Sequence, residues 1–211
     1  MLLALVFALP LLFMLVTSFK TRAEAAGTPP TWIPDVVTTQ AYERILAAAE
    51  TPVFRWFVNS MVAALANSLL VVATAALAAY PLARMKFRGG AAIFYAILAT
   101  MMIPGMVTVV PKFLILREIG LINTYGALIA TYPTFMLPFA TWVMIGYFRS
   151  IPVELEEAAM IDGSSRLGAF WRIILPLSRP ALSCVALFTF MHTWNDFLGP
   201  LIYLQDPQQY T

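Results

Sequence analysis

Glu157-Ala158-Ala159-Met160-Ile161-Asp162-Gly163, with Ile173, Leu175 and Pro176 downstream, is a charged stretch set between long apolar segments. Its residues predict two short helices broken at a glycine. Ser150 stands where a side-chain cap would satisfy the first amides, and Pro152 suits a first turn, where a missing N–H costs nothing. Glu154, Glu156 and Glu157 fall in the opening turns, where negative charge complements the helix dipole. Leu155, Ala158 and Ala159 share a face at helical spacing, and the adjacent alanines let another surface approach the backbone closely. Gly163 supplies the left-handed conformation that stops the helix. A second helical run is expected from Ser164 to Ile174, ending before Pro176. On its own, the stretch reads as an amphipathic loop between membrane spans.

The rest of the chain supplies those spans. Of its 211 residues, 61% are hydrophobic and 11% charged, whereas a soluble domain carries about 25% charged residues. The expected class is all-α and polytopic, with the bilayer in place of a large conventional core. A net charge of +2 is too small to argue for nucleic acid. The single cysteine, Cys184, excludes an internal disulfide framework and is expected to be a small buried apolar residue. No metal cluster and no nucleophile–base–acid set is discernible, so no cofactor and no enzymatic chemistry is expected.

Five spans are expected. The first, Leu2 to Phe19, is barely long enough to cross. A cleaved signal peptide ending near Ala23-Glu24-Ala25 is the rival reading; the lack of a basic start and the long apolar run favour a retained span. Residues 20–58 read as an extracytoplasmic loop with a short helix around Gln40–Ala49. Span two, Asn59 to Leu82, is rich in alanine and serine, which permit close helix packing in lipid. The loop Arg84-Met85-Lys86-Phe87-Arg88-Gly89-Gly90 is basic and free of acids, hence cytoplasmic. Span three, Ala91 to Leu116, is interrupted by Pro104-Gly105 and Pro111, as a helix lining a pathway or as a packing kink; both readings stay open. Lys112 is expected to snorkel to the interface.

Span four, Thr124 to Phe148, ends at Arg149. Span five, Pro180 to Leu204, contains His192-Thr193-Trp194-Asn195-Asp196. Asp196 lies roughly 24 Å from Pro180 at about 1.5 Å per residue, in the outer half of the membrane. An ionisable group there is either a functional site or a paired, wet residue near the interface. Pro104, Asn195 and Asp196 are the candidate pathway residues. His192 reads as a hydrogen-bonded structural residue. The assigned inner loops hold seven basic residues: Arg84, Lys86, Arg88, Arg149, Arg166, Arg172 and Arg179.

The spacing Glu-Ala-Ala, three residues, Gly, nine residues, Ile, one residue, Leu-Pro resembles the EAA loop of ABC importer permeases, with Glu157, Ala158, Ala159, Gly163, Ile173, Leu175 and Pro176 all in register. The resemblance runs nearly end to end and is strongest to the carbohydrate branch, which includes the smaller membrane subunit of the maltose transporter. Thr17-Ser18-Phe19-Lys20, Asn59-Ser60, Ala79 through Gly89, Met102-Ile103-Pro104 with Pro111, and Trp194-Asn195-Asp196-Phe197 resemble that branch in order and separation.

The resemblance implies a type I importer permease fold, with the core transmembrane domain at 59–211 and the coupling loop at 149–180. It implies that Glu157, Ala158, Ala159, Asp162, Gly163, Ile173, Leu175 and Pro176 form a coupling element that docks on a cytoplasmic ATP-binding subunit pair. A second homologous permease subunit and an extracytoplasmic solute-binding protein are the further partners implied. Such subunits usually have six spans, and this chain ends where the sixth would begin, so a truncated product is expected. No G-x-x-x-x-G-K-[ST] loop is present, so ATP is not expected to bind here. An ion-coupled secondary transporter and a membrane scaffold are the alternatives; no internal repeat is visible to favour the first. Trp32, Trp56 and Trp194 suit either sugar stacking or a membrane interface.

Overall fold

A computed structural model describes residues 2–48 and 51–211, with helices throughout and no strand among the described residues. The chain divides into two compact units, Met1–Arg55 and Trp56–Thr211.

The first unit holds α1 (Leu2–Ser18), α2 (Arg22–Ala25) and α3 (Gln40–Ala47). The apolar run makes α1, whose 17 residues are at the lower end of what a membrane crossing requires. Lys20 is buried, and its ammonium donates to the Thr31 hydroxyl at 2.9 Å and to the Thr31 carbonyl. It also sits 5.6 Å from the Phe13 ring centroid, so the charge is met by dipoles and a ring face. The expected helix at Gln40–Ala49 is found as Gln40–Ala47; Ala49 lies outside the described residues.

Most of α4 (Val53–Arg84) belongs to the second unit. It is followed by α5 (Gly90–Thr100), a 3-10 turn (Gly105–Thr108), α6 (Val109–Glu118), α7 (Tyr125–Thr131) and α8 (Pro133–Ser150). Then come α9 (Glu154–Ile161), α10 (Arg166–Ala169), a π-helical turn (Phe170–Ile174), α11 (Leu175–Leu177), α12 (Arg179–Trp194) and α13 (Leu198–Tyr203). Among the described residues, two helical stretches are long and apolar enough to cross a membrane unbroken, Val53–Arg84 and Tyr125–Ser150. The number rises to four if each of two bent pairs is one span: Gly90–Thr100 with Gly105–Glu118, at 91°, and Arg166–Leu177 with Arg179–Trp194, at 73°.

Two expected spans are therefore more broken than the sequence indicated. Span three does not merely kink. Pro104 is extended (ψ 128°), has no N–H to continue the ladder of α5, and is followed by Gly105. Pro111, by contrast, sits in the first turn of α6, where its missing N–H is tolerated. Span five stops at Trp194 rather than Leu204, because Asp196 caps a new helix. Its carboxylate oxygens accept from Leu198 N at 3.2 Å and Gly199 N at 3.1 Å.

In lipid, apolar surface alone does not drive helices together, so close approach and hydrogen bonds do the work. Ala75 and Ala79 of α4 are fully buried, and the core there is completed by Met144 and Phe148 of α8, Phe170 and Val185. A smaller cluster joins Ala63, Leu116, Leu128, Tyr132 and Leu204. Asn67, also fully buried, donates to the Thr193 hydroxyl at 2.6 Å, tying α4 to α12. Cys184 is exposed on α12, not buried: it lies away from the Ala181–Val185–Thr189 stripe that faces the core.

The segment after α13 is fastened to this unit by side chains. Asn123, at φ 61°, accepts from Gln205 N and Asp206 N at 2.9 Å each. Trp56 Nε1 donates to the Pro207 carbonyl at 2.7 Å, and Asn59 Nδ2 donates to the carbonyls of Gln208 and Tyr210.

Candidate functional site

The charged stretch folds as two helical pieces meeting at Gly163, with local differences from the expectation. Ser150 does not cap α9. It ends α8, and its hydroxyl donates to the Tyr147 carbonyl at 2.7 Å. The N-cap of α9 is Val153, which offers no side-chain acceptor, so the acids Glu154, Glu156 and Glu157 are what oppose the helix dipole. Gly163 has φ +88°, and the turn closes with Gly163 N to the Met160 carbonyl at 3.1 Å and Ser164 N to the Ala159 carbonyl at 2.9 Å. Ser165 caps α10 by accepting from Gly168 N at 3.1 Å.

The second helical run does not stop before Pro176. It passes through the π-helical turn and takes Pro176 into α11. The wider turn, in which Leu175 N reaches the Phe170 carbonyl, eases the clash that a proline ring makes with the carbonyl four residues back.

The faces of α9 also differ from the expectation. Leu155 and Ala158 are exposed, with Glu154, Glu157, Ile161 and Asp162. Ala159 is half-buried, as are Ile173, Leu175 and Pro176. The residue driven inward is Glu156, 4% exposed. It meets two residues of α4 one helical turn apart. The Tyr80 hydroxyl donates to Glu156 Oε1, and Arg84 Nε lies 3.9 Å from Oε2. Arg84 Nη2 donates to the Ile151 carbonyl at 2.5 Å, and the Tyr80 hydroxyl also lies 3.1 Å from the Arg166 carbonyl. Rings complete the surround: Tyr80 and Phe170 have centroids 4.7 Å apart, and Phe148 stands edge-on to both. Sequence reasoning missed this cluster. It counted Glu156 only as a dipole acid and Arg84 only as a loop charge. The i, i+4 spacing of Tyr80 and Arg84 was the available signal, but nothing local pairs them with an acid 76 positions away.

A cavity of about 860 Å³ lies between the broken α5–α6 segment, α8 and α12. Ile103 and Gly105, the neighbours of Pro104, line it, with Lys112, Thr134, Phe135 and His192. The Lys112 ammonium donates to the Thr134 hydroxyl at 2.9 Å. His192 stacks on Phe135 at 4.9 Å, and its Nδ1 is buried without a hydrogen-bond partner, unlike the bonded histidine expected. Asn195 and Asp196 do not line the cavity. They form the α12–α13 turn, where Asn195 Nδ2 donates to the Met191 carbonyl at 2.7 Å. Gly199 packs into the same turn. A β-carbon on it would overlap Asp196 Oδ2 and stand 3.3 Å from the Tyr132 ring and hydroxyl.

Apolar helices of crossing length, one of them broken against a cavity, are the features of an integral membrane protein. Residues 71–210 match the binding-protein-dependent transport system inner membrane component family, and the chain belongs to that family. It is 37% identical to the diacetylchitobiose uptake system permease protein of Streptomyces coelicolor over 91% of this chain and 63% of that protein. It is 36% identical to the sulfoquinovosyl glycerol transport system permease protein of Agrobacterium fabrum, over 94% of this chain and 69% of that one. The trehalose/maltose transport system permease protein of Thermococcus litoralis is 34% identical over 97% of this chain and 73% of its own length. The chain thus spans just under two thirds of the first of these relatives. A crystal structure of a bacterial ABC transporter that imports the acidic polysaccharide alginate shares the fold, with TM-score 0.82 over 99% of this chain and 72% of that one, at 24% identity. The chain is accordingly a permease-family protein of the cytoplasmic membrane, not an enzyme family member.

Proposed function

We propose that the chain is a membrane-spanning subunit of an ATP-driven importer for carbohydrate, crossing the bilayer five times: α1, α4, the broken α5–α6 pair, α7–α8, and α12. ATP hydrolysis falls to a separate cytoplasmic subunit pair. A second, homologous permease subunit shares the pathway, and an extracytoplasmic binding protein delivers the solute. The sugar-related names of its relatives support the substrate class.

The observation that carries this reading is the exposed face of α9. Leu155, Ala158 and Ile161 present apolar surface beside Glu154, Glu157 and Asp162, on a helix held from behind by Glu156. That is a helix ready to enter a groove, with charge at its rim. Glu157 offers charge to a basic partner group, Gly163 sets the angle between the two helical pieces, and Ile173, Leu175 and Pro176 direct the return into α12. Transport follows as a rigid-body switch between inward-open and outward-open states, driven by closure of the ATPase pair on α9. The pathway runs along the cavity beside Pro104, with the Asn195–Asp196 turn one helical turn beyond His192. The test is Glu157→Lys and Gly163→Pro in the assembled importer. Loss of ATPase-subunit association and of ATP-dependent sugar uptake supports the reading. Unchanged association and uptake, or uptake that follows an ion gradient without ATP, overturns it.

A further inference from the structure

The buried cluster behind α9 has a feature that simple anchoring does not need. Arg84 Nε and Glu156 Oε2 are both buried, and neither has a hydrogen-bond partner. They face each other at 3.9 Å, about an ångström beyond a charge-assisted hydrogen bond. An unsatisfied buried charge is costly, so such a pair persists only where the surrounding geometry holds it. Here the guanidinium is held by the Ile151 carbonyl on one side, while Glu156 is held by Tyr80 on the other. Four pieces of chain therefore meet at one point: the end of α4, the α8–α9 linker, α9 and the start of α10.

We propose that Tyr80, Arg84 and Glu156 form a clamp that makes α9 and the end of α4 move as one body. This rests on the proposed function, and it makes Tyr80, Arg84 and Glu156 positioning residues: they do not face the partner, but they carry its displacement into the longest helix of the chain. A side-chain adjustment of about an ångström lets Arg84 Nε donate to Glu156 Oε2 and satisfies both orphaned atoms without moving α9 against α4. The ring packing of Tyr80 on Phe170 extends the same body to the π-helical turn. The interaction is electrostatic and desolvated, so removing its charge leaves the shape of the site in place and weakens the joint alone.

The experiment uses the assembled importer, with Cys184→Ala and spin labels at Leu77→Cys on α4 and Val153→Cys at the start of α9, both exposed positions. MgATP and vanadate are the only probes. The expected result is one narrow α4–α9 distance distribution, the same in resting and vanadate-trapped complexes. Adding Glu156→Gln is expected to broaden it and to introduce a shift on trapping, at unchanged membrane abundance. Tyr80→Phe keeps the rings packed and removes only the hydroxyl, so it gives the same result more weakly and decides the matter if the glutamine variant fails to assemble. A glutamine variant whose distribution matches the parent in both states overturns the clamp, as does a parent whose α4–α9 distance itself changes on trapping. A label at Ile161→Cys that is never protected by the ATPase subunit overturns the docking reading instead, and the clamp with it.

Discussion

Gly199→Ala isolates what Asp196 does. The added methyl would overlap Asp196 Oδ2 and press on Tyr132, which is buried against the same turn. To admit it, the carboxylate must abandon its bonds to Leu198 N and Gly199 N. Losing an N-cap costs about 0.5–2 kcal/mol, and crowding a packed site costs typically about 1–3 kcal/mol. The sum expected for Gly199→Ala is therefore about 1.5–5 kcal/mol. Asp196→Ala alone removes the cap but creates no clash, and should cost about 1 kcal/mol. In the double variant the overlapping oxygen is gone, so the two losses must fall short of adding by about 1–2 kcal/mol, as expected for residues in contact. Thermal unfolding of the full-length protein in detergent, for the parent, both single variants and the double, measures this directly. Strict additivity would refute the capping geometry. Asp196→Asn keeps an acceptor for the cap, so a stable Asp196→Asn variant that nevertheless loses uptake would assign the ionised carboxylate to the pathway.

Other substitutions follow from single observations and are read by the same unfolding assay. Gly163→Ala meets no neighbouring atom within 4 Å, so its cost is that of a left-handed backbone alone, about 1–2 kcal/mol; a neutral result would show that the turn relaxes. Asn67→Leu removes the bond to Thr193 but also an orphaned buried carbonyl oxygen, and Thr193 still donates to Thr189 at 3.0 Å. With interhelical bonds in lipid near about 0.6 kcal/mol, this change should be close to neutral, and a loss above about 2 kcal/mol would contradict it. Asn123→Gly sacrifices two accepted bonds but tolerates φ 61°, whereas Asn123→Ala loses the bonds and is strained as well, so alanine should be worse than glycine by about 1 kcal/mol.

The sequence was most informative where one physical signal dominates. Long apolar runs marked α4 and Tyr125–Ser150, and Gly163 marked its own positive-φ turn. It was less informative where proline acts through its surroundings. Pro104 breaks a span by 91°, Pro176 is absorbed by a π-helical turn, and Pro81 and Pro138 stay inside helices. Residue type alone does not distinguish these outcomes; neighbouring carbonyls and packing decide them. The Asp196 cap was hidden for a related reason, since an aspartate in an apolar run looks like an isolated charge until the helix is known to end at Trp194. Glu156 and Glu157 are neighbours of one type, and the turn of about 100° per residue buries the first and exposes the second. Which one turns inward depends on where α9 lies against Tyr80 and Arg84, a relation between segments far apart in the chain.

The most direct measurement places a photo-activated cross-linker at Ile161, the most exposed apolar residue of α9, in the full-length protein within its assembled complex. The account predicts an adduct with the ATP-binding subunit, formed from the cytoplasmic side and altered by nucleotide. No adduct at that position, or reaction of the position with impermeant reagents applied outside the cell, would contradict it.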